Sequence, residues 1–163
     1  MIDHCPTTPQ ELFKDGMELI LGEEEPDAAG NLDSMARVGI SLMAGREEFD
    51  ILLRLCGDDV RLVDSSVRML PLKNRTFKGL EALVEWLNSC WNLRVTLENS
   101  DKVATVILPV ASADEQEANA IAAFIQGLLQ GMLTWISGGK FYPAHLESTA
   151  RGMEIQLMRT PLD

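Results

Sequence analysis

The sequence predicts an α+β domain in which four to five helices pack on one face of a twisted, mainly antiparallel, four-stranded sheet. Three observations support this prediction. Apolar residues recur at helical spacing in several segments before residue 92, and again in one long segment, residues 112–137. On either side of that segment, alternating apolar and polar residues surround a turn, which is typical of a hairpin. We therefore expect one long helix between two hairpins.

Composition limits the classes of function. A chain of 163 residues suits a single domain over residues 1–163, with residues 1–8 as a flexible N-terminus. The formal charge of −11 argues against binding of nucleic acid or anionic lipid. Three widely spaced cysteines, Cys5, Cys56 and Cys90, favour reduced thiols and a cytoplasmic location. We expect no signal peptide and no transmembrane segment.

The first half of the chain predicts a series of helices. Thr8 and Glu11 have the spacing of a capping box, Pro9 suits the first helical position, and Gly22 ends the first helix. The acidic run at residues 23–27 predicts a solvated loop. A second helix, residues 31–44, has an apolar face that we expect to point inward. That face contains Leu32, Met35, Val38, Gly39, Leu42 and Met43.

Glycines and a proline divide the next segments. After Gly45 we expect a third helix that ends at Gly57, with Cys56 buried and unreactive on its apolar face. A fourth helix is predicted from Asp58 or Asp59 to Pro71, followed by a polar turn at residues 73–75.

A further helix begins at Phe77 and ends near residue 91. Trp86 lies off its apolar stripe, and we expect Trp86 and Trp91 to contribute to an interaction surface, because tryptophan is enriched at interfaces. Four strands are then predicted, at residues 93–98, 103–110, 140–150 and 153–160.

The long helix carries a second pattern beside its apolar stripe. Ser112 and Glu115 have capping-box spacing, and two glycines at 138–139 end the helix. Ala123, Gly127 and Gly131 recur every four residues, although a glycine inside a helix costs about 1 kcal/mol relative to alanine. We therefore expect a close approach at this row, either by a neighbouring helix or strand or by a ligand tail.

Few residues suggest chemistry. His145 and Glu147 are two apart on a predicted strand and so share a face, which makes an acid–base pair geometrically feasible. His4 beside Cys5 does not have the spacing of a zinc site. We find no nucleophile elbow, phosphate-binding loop or paired-cysteine motif, and we predict neither a cofactor nor a metal.

Two short motifs resemble a known family. Residues 32–39 have the form L-D-x-M-x-x-x-G, and residues 124–133 have the form x-x-x-G-h-h-x-G-h-h, with h apolar. Together with the closing strand, they resemble components of the transport protein particle (TRAPP) and the related 4-vinyl-reductase-type hydrocarbon-binding domains. The resemblance implies a two-layer fold, dimerisation through helices and, in some members, an apolar channel. In such members the cysteine that carries an acyl chain lies three residues before a Phe that opens the fifth helix. If that Phe is Phe77, the matching position is Asn74, so we expect no acylation there.

The combined expectation is a small dimeric, non-enzymatic module. It would act as a protein-interaction scaffold or bind an apolar small molecule. If the channel of the family is kept, four residues are expected to line it: Phe124, Gly127, Leu128 and Gly131. The alternative is a small enzyme or sensor that uses His145 and Glu147.

Overall fold

A computed structural model describes residues 3–22, 33–61, 65–109 and 114–162. These residues form five helices and four strands. In chain order they are α1 (Pro9–Leu21), α2 (Ser34–Val60), α3 (Ser65–Arg68), α4 (Leu72–Cys90), β1 (Thr96–Asn99), β2 (Val103–Leu108), α5 (Glu115–Ile136), β3 (Ala144–Thr149) and β4 (Gly152–Met158). The expected acidic run, Leu32 and Ser112 lie outside the described residues.

The four strands form one antiparallel sheet with the order β1-β2-β4-β3. Alternate residues of the central strands face the helices, and Val106 and its cross-strand partner Ile155 are fully buried there. α5 contacts both β3 and β4. The predicted α+β class, with helices packed on a sheet and one long helix between two hairpins, is confirmed.

Strand β1 begins later than the alternation of residues 93–98 predicts. The side chain of Asn88 on α4 accepts a hydrogen bond from the Val95 amide (2.7 Å) and donates one to the Val95 carbonyl (2.9 Å). Because the N–H and C=O groups of Val95 are both paired with Asn88, this residue does not join the backbone hydrogen bonds between β1 and β2. β1 therefore starts at Thr96.

Helix α2 is continuous where two helices were predicted. It runs for 27 residues from its cap at Asp33, passes through Gly45, and ends at Arg61, which adopts a left-handed conformation. Asp58 and Asp59 therefore lie in its last turn and do not begin a new helix. The predicted break at Gly45 is wrong because this glycine is needed for close packing and does not end the helix.

The inward face of α2 also differs from the prediction. Met35 is 85% exposed and Met43 is 51% exposed, while Gly39 has open space beside it. The buried side of α2 instead carries Ala44 and Phe49. Both sides of the helix carry apolar residues in this part, and only the packed structure shows which side is buried.

Helix α4 also begins earlier than predicted. Residues 73–75, expected to form a polar turn, lie in its first turn, and Pro71 occupies the cap position. Arg75 donates to the carbonyl oxygen of Leu70 (3.0 Å), which holds the preceding chain against the helix.

Helix α5 is the central element of the core. It begins after Asp114, whose side chain accepts hydrogen bonds from the Gln116 and Glu117 amides, and it packs against α1, α2, α4 and the sheet. Its length and hydropathy would also fit a membrane span. However, 72% of its most apolar 18-residue window is buried inside the protein, and a core helix passes the same test.

Glycines let α2 and α5 approach closely. A Cβ atom on Gly127 would overlap the carbonyl oxygen of Leu42 and lie 2.9 Å from the amide nitrogen of Arg46. A Cβ atom on Gly45 would overlap the carbonyl oxygen of Phe124. The two backbones therefore touch where neither residue has a side chain.

A disulfide between Cys5 and Cys56 joins the N-terminal segment to the end of α2. The buried indole of Trp91 also donates to the carbonyl oxygen of Pro6 (3.0 Å). Residues 5 and 6 are thus held against the core, in contrast to the predicted flexible terminus. The expectation of three reduced thiols is therefore wrong for Cys5 and Cys56. The predicted cytoplasmic location was inferred from reduced thiols, so the cysteines no longer support it.

The helix crossing makes a prediction that three matched variants test. Gly45→Ala and Gly127→Ala should each lower the free energy of unfolding by about 2 kcal/mol or more, because the added methyl group meets backbone atoms. In protein dilute enough to be monomeric, Gly39→Ala, on the open side of α2, should raise it by about 0.5–1 kcal/mol through helix propensity. Urea unfolding measures all three changes. Equal effects at the three positions would contradict the close crossing.

The disulfide makes a second prediction. Alkylation of the denatured, unreduced protein should label only Cys90, which is the free and exposed cysteine. Cys5→Ser should lower the free energy of unfolding by about 2–4 kcal/mol, as expected when a cross-link over this sequence separation is lost. Cys90→Ser serves as the control and should leave stability almost unchanged. Labelling of all three cysteines without reductant would refute the pairing.

Candidate functional site

The four residues predicted to line an apolar channel lie in the core. Phe124 and Leu128 are fully buried, and the Phe124 ring meets the Phe13 ring edge-on at 5.4 Å between centroids. The row of small residues that contains Gly127 and Gly131 faces α2, whose Phe49 would lie 2.8 Å from a Cβ atom on Gly131. The close approach predicted from the glycine row is therefore made by a helix, which occupies the place considered for a ligand tail.

The two tryptophans assigned to an interaction surface are also buried. Trp86 is 3% exposed and Trp91 is 6% exposed, and their rings pack against each other at 4.9 Å between centroids. Their apolar rings are covered by the chain's own core, which corrects the expectation that they present a surface. The oligomeric state is a separate prediction that does not depend on them.

His145 and Glu147 share the outer face of edge strand β3, as their spacing predicts. Both are exposed, and their cross-strand partners on β4 are Gln156 and Glu154. Among the described residues, no hydrogen bond or ion pair joins His145 to Glu147, and neither lines a described cavity. The structure places them on one face but does not enclose them.

An ion network on the same outer face was missed from the sequence. Arg151, in the turn between β3 and β4, donates to Glu154 (2.9 Å) and to Glu98 on β1 (2.7 Å). Thr149 also donates to Glu154. The hydrogen bond from Arg151 is the main reason that the pKa of Glu154 is lowered. This network spans the sheet from β1 to β4, and only the strand register brings its members together.

A buried carboxyl group lies between α1 and α2. Glu48 is fully buried, and the Cγ atom of its side chain would lie 2.7 Å from a Cβ atom on Gly16 of α1. Burial, helped by the nearby charge of Asp15, raises the pKa of Glu48 to about 7. Within the described residues Glu48 forms no ion pair with a cation, so it favours the neutral form inside the fold.

A small, half-open and mostly apolar cavity lies between the first half of α5, the sheet and the start of α1 at Pro9 and Gln10. Its volume is about 150 Å³, and its apolar lining includes Leu93, Leu108, Ile121, Ile125 and Met153. An apolar cavity of this size can hold a benzene-sized molecule. It is separate from the four channel residues, none of which borders it.

A larger, open groove of about 450 Å³ lies at the C-terminal end of α5. We call it the aromatic groove, and six of its lining residues are Arg46, Asp50, Thr134, Trp135, Gly139 and Phe141. Gly131 also borders it, and is the one predicted channel residue that lines a described cavity.

An exposed apolar surface follows one side of α2. We call it the α2 stripe, and it consists of Met35, Gly39 and Met43, which are spaced one turn apart. Open space lies beside Gly39, and both methionines are exposed. The exposed Glu47, one turn after Met43, bounds the apolar part of this surface.

Comparison with known proteins gave no match. No family model matches the chain, and no curated protein or solved structure was found that matches it. The functional proposal therefore depends on the geometry of the described residues.

The buried Glu48 predicts a pH dependence of stability. Its folded-state pKa of about 7 lies above the ordinary value of 4.5, so the folded protein binds this proton more tightly than the unfolded chain does. Its contribution to stability is complete below pH 4.5 and is lost as the pH rises to about 7. A shift of this size corresponds to about 3 kcal/mol.

Glu48→Gln tests this dependence, because the amide is similar in shape and does not titrate. Urea unfolding at several pH values should show the wild type losing stability relative to Glu48→Gln between pH 4.5 and 7. The exposed Glu47→Gln is the matched control and should run parallel to the wild type. Parallel curves for all three proteins would show that the pKa of Glu48 is the same in the folded and unfolded states, and would contradict the raised value.

Proposed function

We propose that this protein is a non-enzymatic interaction module that forms a homodimer through the α2 stripe. The observation that carries the proposal is the exposure of Met35 and Met43 on a helix face whose apolar pattern is that of a buried one. Contiguous exposed apolar side chains on a folded domain often mark a contact surface. A second copy of the chain supplies a matching stripe.

The stripe has a geometry that suits a twofold axis. Gly39 lies at its centre, with one methionine a turn before it and one a turn after it. If the axis passes near Gly39, each Met35 and Met43 packs on the partner helix, and the missing side chain at Gly39 permits a close crossing. Methionine is flexible enough to fill such an irregular contact.

The family resemblance supports the same proposal. Met35 and Gly39 are the last two fixed positions of the L-D-x-M-x-x-x-G motif, and relation to TRAPP components or 4-vinyl-reductase-type domains implies dimerisation through helices. The formal charge of −11 on each chain opposes association through long-range repulsion. We therefore expect salt to strengthen the dimer.

A second candidate function is the binding of a small apolar molecule. It is favoured by the cavity of about 150 Å³ beside Ile121 and Ile125, and it places the ligand away from the row of Gly127 and Gly131. The enzyme alternative, which uses His145 and Glu147, stays a prediction, and their exposed position provides no enclosed site that supports it.

The dimer predicts a specific effect of charged substitutions. Met35→Glu combined with Met43→Glu should weaken self-association by about tenfold or more, because two carboxylates per chain enter an apolar contact. Sedimentation equilibrium at low and moderate salt measures the dissociation constant. Met69→Glu, at a methionine that is 86% exposed and not on α2, is the matched control and should associate like the wild type.

Cross-linking tests the position of the axis. In a Cys90→Ser background, Gly39→Cys should oxidise to a disulfide-linked dimer, since disulfides need Cα atoms within about 7 Å. Arg54→Cys, at an exposed position further along α2, should not. A wild-type protein that stays monomeric at all concentrations and salt levels would refute the proposal.

A further inference from the structure

The aromatic groove has two aromatic walls at different levels of burial. Trp135, on the last turn of α5, is half-buried, and its ring packs against the Phe49 ring with 6.2 Å between ring centroids. Phe141 is 41% exposed. Its backbone is nevertheless held in place, since its carbonyl oxygen accepts a hydrogen bond from the amide of Leu162 (2.9 Å). The groove therefore offers aromatic surface on a fixed backbone.

The groove also contains a positioned positive charge. Two nitrogens of Arg46, Nε and Nη2, donate to Oε1 of Gln130 at 3.1 and 2.7 Å. Gln130 is buried and donates in turn to the carbonyl oxygen of Tyr142 (2.9 Å). The guanidinium group is thus held in place by a neutral amide, and it lies 5.3 Å from the centre of the Phe141 ring.

This charge has no carboxylate partner in the part of the chain that the structure describes. Among the described residues, no acid lies within ion-pair distance of Arg46, although the chain carries 25 acidic residues against 14 basic ones. Its Nη1 nitrogen makes no hydrogen bond there and is available to a ligand. An arginine that is fixed in place but not neutralised suits recognition of an anion.

From these observations we infer that the aromatic groove binds a small aromatic carboxylate. The ring packs against Trp135 and Phe141, and the carboxylate accepts hydrogen bonds from the guanidinium group of Arg46. The volume of about 450 Å³ fits one or two fused rings and lies within the usual range for small-molecule sites.

Two further residues define the class of ligand. Thr134 lines the groove and brings a hydroxyl group to it. Asp50, one turn after Arg46 on α2, lines it too, and its negative charge repels a ligand more strongly with each negative charge that the ligand carries. We therefore expect a monocarboxylate to bind better than an aromatic phosphate ester. Gly139 keeps this side of the groove free of side-chain atoms.

Calorimetric titration with three probes tests the inference. Naphthalene-2-carboxylate should bind about tenfold more tightly than naphthalene-2-carboxamide, since only the acid pairs with Arg46. Cyclohexanecarboxylate, which has the charge but no aromatic ring, should bind more weakly than the naphthalene acid. Equal binding of the acid and the amide, or no binding of the acid, would overturn the inference.

Variants assign the binding to this groove. Arg46→Gln should remove the preference for the acid over the amide, whereas Arg54→Gln, at an exposed arginine on the same helix, should retain it. Phe141→Ala, at an exposed side chain, should weaken both naphthalene probes and provides a second test if Arg46→Gln fails to fold. Binding that is unchanged in Phe141→Ala would refute this location.

The inference does not depend on the proposed dimer. The double variant with Met35→Glu and Met43→Glu keeps Arg46, Trp135 and Phe141. It should therefore bind the naphthalene acid whether or not it dimerises. Failure of the dimer proposal and failure of the ligand inference therefore give different results.

Discussion

The backbone contact between α2 and α5 is the constraint on which the rest of the structure depends. At Gly45 and Gly127 the two helices lie too close for any side chain between them. One turn further along, Gly131 packs against Phe49, and Phe49 then meets Trp135, so the helices run in the same direction. Because α5 also packs against the sheet, α1 and α4, this crossing positions every layer of the fold.

The same crossing decides what the protein presents to its surroundings. It turns one side of α2 toward α5 and leaves the α2 stripe on the outside. It also brings Arg46 and Asp50 beside the end of α5, where Trp135 and Phe141 form the aromatic groove. The glycine row thus shapes the candidate sites mainly through this crossing, since helix α2 fills the space beside Gly127 and only Gly131 of the row borders the aromatic groove.

Two buried polar side chains, Gln130 and Glu48, differ in whether they have hydrogen-bond or ion-pair partners. Gln130 is buried with its amide oxygen and nitrogen both hydrogen-bonded, and it therefore adds a fixed link between α2 and the segment before β3. Glu48 is buried without a cationic partner among the described residues, and its raised pKa is the consequence. The first arrangement fixes a structure, whereas the second makes stability depend on pH.

The sequence by itself determined the elements whose signals are local. Period-two alternation, turn residues and the long apolar stripe predicted two hairpins around one long helix, because backbone geometry alone sets these spacings. It also predicted a close approach at Gly127 and Gly131, but it did not identify the approaching element. Tertiary structure decided which side of α2 is buried, that Gly45 continues a helix, that Cys5 pairs with Cys56, and that Trp86 lies inside. Each of these outcomes depends on which residues, distant in sequence, pack against the position. The periodicity of apolar residues indicates which positions tend to be buried, but it does not indicate which element buries them.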